Sequence, residues 1–197
     1  MTSFLLIVAA APDPLAAHLA YDRQAILSGE LWRLWTAHVV HFSWQHALSD
    51  ALVLFAASRL VERLAGAPLA WAAFAIGAPA ISLALLCAAP GMSEYRGASG
   101  LALMMAVLCG GLLWPTARAG LRLLLAALGC GLVAKTVAEA RGLSLSLAGL
   151  PSGVEVAWQA HALGAFCALA LVVWHRRHTG SNPPAHEGRA RTYKKLH

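Results

Sequence analysis

The chain has 197 residues, of which 59% are hydrophobic and 12% charged, with a formal net charge of +6. Soluble domains carry roughly 25% charged residues, and apolar runs of about 20 residues, the length that crosses a bilayer, recur along this sequence. A soluble fold is thereby excluded, and an all-α, polytopic protein seated in a lipid bilayer is expected. The positive charge is largely that of the C-terminal tail and does not point to a nucleic-acid partner.

In chain order, six spanning segments are expected, at 3–19, 46–64, 68–89, 98–114, 119–138 and 154–174, forming one membrane domain over 1–178. Met1 to Ala11 lack the basic leading region of a signal peptide and are read as part of the first span, which Pro12-Asp13-Pro14 interrupts. The stretch from Tyr21 to Gln45, with Trp32, Trp35, His38, His41 and Trp44, has the aromatic character of a structured loop at the lipid–water boundary. Pro90-Gly91 marks a turn after the third segment. A semi-polar stretch, 139–153, precedes the sixth, and 179–197 reads as a basic, disordered cytoplasmic tail. The cysteines, Cys87, Cys109, Cys130 and Cys167, lie inside apolar runs and read as small buried hydrophobes.

Lys and Arg set the orientation. With six spans, ten basic residues (Arg59, Arg63, Arg118, Arg122 and those from Arg176 onward) share the side of both termini, against five (Arg23, Arg33, Arg96, Lys135, Arg141) opposite. Both termini are therefore expected in the cytoplasm.

Parity then brings polar groups together. The second, fourth and sixth segments all start from the non-cytoplasmic face. His46 and Asp50 open the second, Ser99 opens the fourth, and His161 lies a short way into the sixth. At 1.5 Å per residue, His161 is roughly 9 Å below the edge, so all four can share one shallow layer. Ionisable groups inside spans are costly and usually functional. Small-residue stripes, Ala102, Ala106 and Gly110 on one helix and Gly164 and Ala168 on another, are expected to let the fourth and sixth helices approach closely. The bland alternatives are a helix-capping serine, an interfacial His46 and a His161 bonded to a backbone carbonyl.

A serine hydroxyl becomes nucleophilic when a base takes its proton, and a neutral imidazole does this near neutral pH. Ser99 is thus the expected nucleophile and His161 the general base. The backbone N–H of Ser99 and the side chain of His46 are expected oxyanion donors, and Gly97 and Gly100 let backbone and substrate come close. No acidic partner for His161 is evident, so a dyad is expected. His38, His41 and His46 lack the spacing of a helical His-Glu-x-x-His metal site, and neither metal nor other cofactor is expected.

These residues resemble a rhomboid intramembrane serine protease from about Glu30 to Trp174. Trp32-Arg33 is similar to the Trp-Arg motif of the first rhomboid loop, and His41 to His46 leads into the second span as in that family. Glu62-Arg63-Leu64 with Gly66 resembles the cytoplasmic end of that span, Gly97-Ala98-Ser99-Gly100 the nucleophile motif, and Ala160-His161 with Gly164 the histidine motif. Tyr95-Arg96 before the nucleophile motif, and Tyr21-Asp22-Arg23, resemble the rhombosortase branch. The resemblance implies a six-helix bundle in a bacterial inner membrane that opens to the periplasm. It implies endopeptidase action on transmembrane anchors, namely the C-terminal Gly-Gly-containing anchors of secreted proteins. The chain departs from the family at Asp50, where Asn is usual, at Leu103, where an aromatic or polar residue is frequent, and at Ala168, which replaces Gly. An ionised Asp50 would repel an oxyanion unless protonated, turned away or paired with His46. The competing expectations are an inactive client-binding relative, against which the intact Ser99 and His161 argue, and a transporter, for which no internal repeat is found.

Overall fold

The computed structural model describes residues 13–143 and 156–179. It begins with helix α1 (Asp13–Leu19), strand β1 (Tyr21–Asp22) and two short helices, α2 (Arg23–Leu27) and α3 (Arg33–Thr36). Five longer helices follow: α4 (Trp44–Ala65), α5 (Ala67–Ala88), α6 (Ser99–Leu113), α7 (Ala119–Ala140) and α8 (Trp158–Thr179). Strand β2 (Glu94–Tyr95) sits between α5 and α6. The expected segments 46–64, 68–89, 98–114 and 119–138 each fall on one of these helices, and 154–174 does so from Trp158 onward. The first, 3–19, is described only from Asp13, and the tail beyond Thr179 lies outside the described residues.

Among the described residues, α5, α7 and α8 are long and apolar enough to cross a membrane. Helix α6 has 15 residues, and α4 carries His46, Asp50, Arg59, Glu62 and Arg63. Among the described residues, helices with span-like length and composition therefore number three, where six segments were expected over the whole chain.

Helix α6 is central. Leu101, Met104, Met105 and Leu108 are fully buried and pack with Leu54 and Val61 of α4 and with Ile81 and Leu85 of α5. Helix α7 is the opposite case. Its only buried residue is Glu139, while Leu123, Leu124, Leu128 and Val133 face outward. This is the pattern of a helix whose apolar surface is covered by lipid rather than by protein. The same physics corrects the expectation for the cysteines. Cys109 is buried, but Cys87 and Cys130 are exposed on the bundle surface, because an apolar run in a membrane helix does not imply a protein interior.

The stretch before α4 is stitched to the bundle by specific bonds. Pro79 lies inside α5 and has no N–H for the carbonyl four residues earlier. That carbonyl, of Ala75, accepts instead from Trp35 Nε1 at 3.0 Å. His38 Nε2 lies 3.0 Å from both Ala78 O and Ser82 Oγ, and Ser82 donates to Leu34 O. Arg23 donates to Leu86 O in the last turn of α5 (2.6 Å), one of the carbonyls a helix end leaves unpaired. Arg33 pairs with Glu30 and donates to the carbonyls of Ala17 and Ala20. Strand β1 pairs antiparallel with β2, Tyr21 opposite Tyr95, which fixes the chain just ahead of Gly97. The stretch is the structured element its aromatic composition suggested.

Candidate functional site

Ser99 is the first residue of α6, and its N-cap is Ala98, which makes no side-chain cap bond. The serine hydroxyl is therefore not used as a helix cap. Its Oγ lies 3.0 Å from Nε2 of His161, in the first turn of α8. The approach depends on glycine on both helices. A Cβ on Gly164 would overlap the Gly100 carbonyl oxygen, and one on Gly100 would sit 2.9 Å from the Ala160 carbonyl oxygen. The crossing therefore runs through Gly164, as expected on α8, but on α6 through Gly100 rather than through the expected Ala102, Ala106 and Gly110. Gly110 faces Leu125 of α7, whereas Ala102 and Ala106 line the cavity in front of Ser99.

On the other side of its ring, His161 Nδ1 lies 2.9 Å from Glu139 Oε2. The side chain of Glu139 is fully buried, and its second oxygen is paired with Lys135 one turn earlier on α7. The expectation of a histidine without an acidic partner is thus corrected. With Glu139 as a carboxylate, which offers only acceptor lone pairs, a hydrogen on Nδ1 would point at Oε2 and leave Nε2 to accept from the Ser99 hydroxyl. The geometry is a four-residue chain, Lys135–Glu139–His161–Ser99, across two helices and the start of a third. Sequence reading missed Glu139 because the fifth segment was ended at 138, two residues short of the helix end. Lys135, Thr136 and Glu139 at i, i+1 and i+4, on the end of α7 that parity brings to the same layer, were the available signal.

Gly97 has φ 131 and its N–H donates to Ala37 O (3.0 Å), a left-handed backbone that glycine alone adopts readily. A Cβ there would also sit 2.7 Å from His46 Cε1, so the His46 ring packs directly on the loop ahead of Ser99. Ser43 caps α4 by accepting from the His46 N–H (3.1 Å), which fixes the start of that helix. Asp50 is neither free nor turned away. Its Oδ2 lies 3.3 Å from His46 Nε2 and 3.2 Å from His41 Nε2. His41 Nε2 is also 3.3 Å from the Ala98 N–H; the two contacts belong to different tautomers, since one nitrogen cannot both donate and accept. Of the expected residues, Ser99 and His161 are brought into contact, Gly97 and Gly100 flank them, and His46 and Asp50 form a paired group against the Gly97 loop.

Tyr95 is buried, and its hydroxyl donates to Gly97 O (2.6 Å); burial pushes the phenol well above its ordinary range. His38, fully buried, is lowered to about 4 by desolvation, against which its bonds to backbone act only in part. A cavity of about 1040 Å³ opens in front of the site. Ser99, His161, Glu139, Asp50, Leu103 and Trp158 are among its walls.

These features define a helical membrane protein with a serine–histidine pair at the shared end of its helices. The family model described as Rhomboid domain matches residues 28–178, about three quarters of the chain, and the chain belongs to the rhomboid family. That family consists in general of intramembrane serine proteases. No curated protein matches the chain.

Proposed function

We propose that this protein is an intramembrane serine endopeptidase that cuts the membrane anchor of a tethered substrate. The observation that carries the reading is the 3.0 Å contact between Ser99 Oγ and His161 Nε2 at the wall of a large cavity. As Oγ attacks the scissile carbonyl, its proton passes to Nε2. The same proton goes to the leaving amine when the C–N bond breaks. Water then attacks the acyl ester, gives its proton to Nε2, and Ser99 is regenerated as His161 returns the proton to Oγ. The free N–H groups of the first turn of α6, at Ser99 and Gly100, are the proposed oxyanion donors. His46 is the proposed side-chain donor through its Nε2–H, which faces Asp50 in the structure and exchanges that acceptor for the oxyanion as it forms.

Six spans with both termini in the cytoplasm put this layer near the periplasmic side of a bacterial inner membrane. The basic-residue asymmetry supports that orientation. The Tyr95-Arg96-Gly97-Ala98-Ser99-Gly100 wording supports the rhombosortase branch and, with it, C-terminal Gly-Gly-containing anchors as substrates. The test is cleavage, in proteoliposomes, of a reporter carrying such an anchor. Cleavage by the wild type and its loss in Ser99→Ala and His161→Ala support the reading; cleavage retained in Ser99→Ala overturns it.

A further inference from the structure

Glu139 has a cost that the fold does not require. Withdrawing a carboxylate from water costs several kcal/mol before any pairing, and Glu139 is the one buried residue on a helix that otherwise faces outward. An apolar residue at the same place would dock α7 on α8 without that cost. What the carboxylate supplies is direction: Oε2 addresses Nδ1 of His161 at 2.9 Å, while Lys135 occupies the other oxygen. We propose that Glu139 is a positioning residue for the proteolytic reaction. It fixes the tautomer of His161 that leaves Nε2 bare toward Ser99 and stabilises the imidazolium formed when the serine proton is taken. Lys135 in turn holds the rotamer of Glu139.

This inference rests on the serine protease reading, deepening it from a pair to a triad. Its logic is chemical. An imidazole with a hydrogen on Nε2 cannot accept the Ser99 proton, whatever its distance. An acceptor on Nδ1 excludes that tautomer, and a charged one also opposes the positive charge that develops on the ring. Replacing the carboxylate by a carboxamide of the same shape keeps the packing but lets the amide N–H₂ face Nδ1, which favours the unproductive tautomer. A shorter carboxylate keeps the charge and displaces it.

The experiment compares wild type, Glu139→Gln, Glu139→Asp and Lys135→Met, purified in detergent, in two assays: fluorophosphonate labelling of Ser99, and steady-state cleavage of an anchored reporter. The expected result is a fall of at least 100-fold in kcat and in labelling rate for Glu139→Gln, with KM and melting temperature unchanged. Glu139→Asp recovers part of that loss, and Lys135→Met falls between wild type and Glu139→Gln. Wild-type labelling together with wild-type kcat in Glu139→Gln overturns the positioning role and leaves the protease reading standing. Absence of label on wild-type Ser99 overturns the protease reading itself. If Glu139→Gln does not fold, the ¹⁵N signals of His161 in the wild type decide. A hydrogen on Nδ1 supports the proposal, and one on Nε2 contradicts it.

Discussion

Gly164 of α8 packs directly on the carbonyl of Gly100 in α6, and this backbone contact sets the distance between Ser99 and His161. Any side chain at position 164 forces the helices apart at the level of the site. Gly164→Ala is therefore expected to lower stability by about 1–3 kcal/mol, the usual cost of overpacking, and to reduce cleavage by more than the loss of folded protein explains. Melting in detergent and cleavage per folded molecule, measured together, check this.

Gly97→Ala combines two penalties. The backbone is left-handed at φ 131, and the added methyl meets the ring of His46. We expect a larger loss than at Gly164, with kcat falling because the loop that carries Ser99 is displaced. A parallel Gly129→Ala control, where a Cβ meets nothing within 4 Å, is expected to leave kcat unchanged.

His46 and Asp50 are expected to separate under mutation. His46→Ala removes the proposed side-chain oxyanion donor, and losses of about 10²–10³ in kcat are typical of such donors. Asp50→Ala leaves two imidazoles, His41 and His46, without their shared acceptor. Its expected effect includes a stability loss of about 1–3 kcal/mol from the unpaired buried groups. Kinetics with thermal denaturation on both variants distinguishes the roles.

Stability is expected to fall with acid through His38. In the unfolded chain this histidine binds a proton near its ordinary value of 6.5, whereas in the fold it does so only near 4. Between these values the unfolded state holds the extra proton, so stability is full above about pH 6.5 and declines as pH falls toward 4. The decline amounts to about 3 kcal/mol on the linkage relation. His38→Gln should flatten this slope, as read from melting temperatures across pH.

How far the sequence revealed this arrangement depended on the kind of signal. Five long helices were legible because apolar length is a strong constraint in a membrane. The meeting of Ser99 with His161 was legible because alternate segments must begin on one face. Glu139 was not, because it lies where a hydrophobic run gives way to polar residues, and hydropathy ends a helix there although the backbone continues to Ala140. The helix-crossing surface was misjudged for a related reason. Gly164 was legible on α8, but in an alanine-rich chain small-residue stripes occur on several faces, and only packing selects Gly100 on α6 over Ala102, Ala106 and Gly110. The span counts differ because 46–64 was read as a span although α4 carries His46, Asp50, Arg59, Glu62 and Arg63, and 98–114 was read as one although α6 has only 15 residues.

The central claim, that Ser99 is a nucleophile activated by His161, is tested most directly by mass-spectrometric mapping of a fluorophosphonate adduct on the protein in membranes. The account predicts one adduct, on Ser99, that disappears in His161→Ala although the protein remains folded. An adduct on another residue, or undiminished labelling of Ser99 without His161, would contradict it.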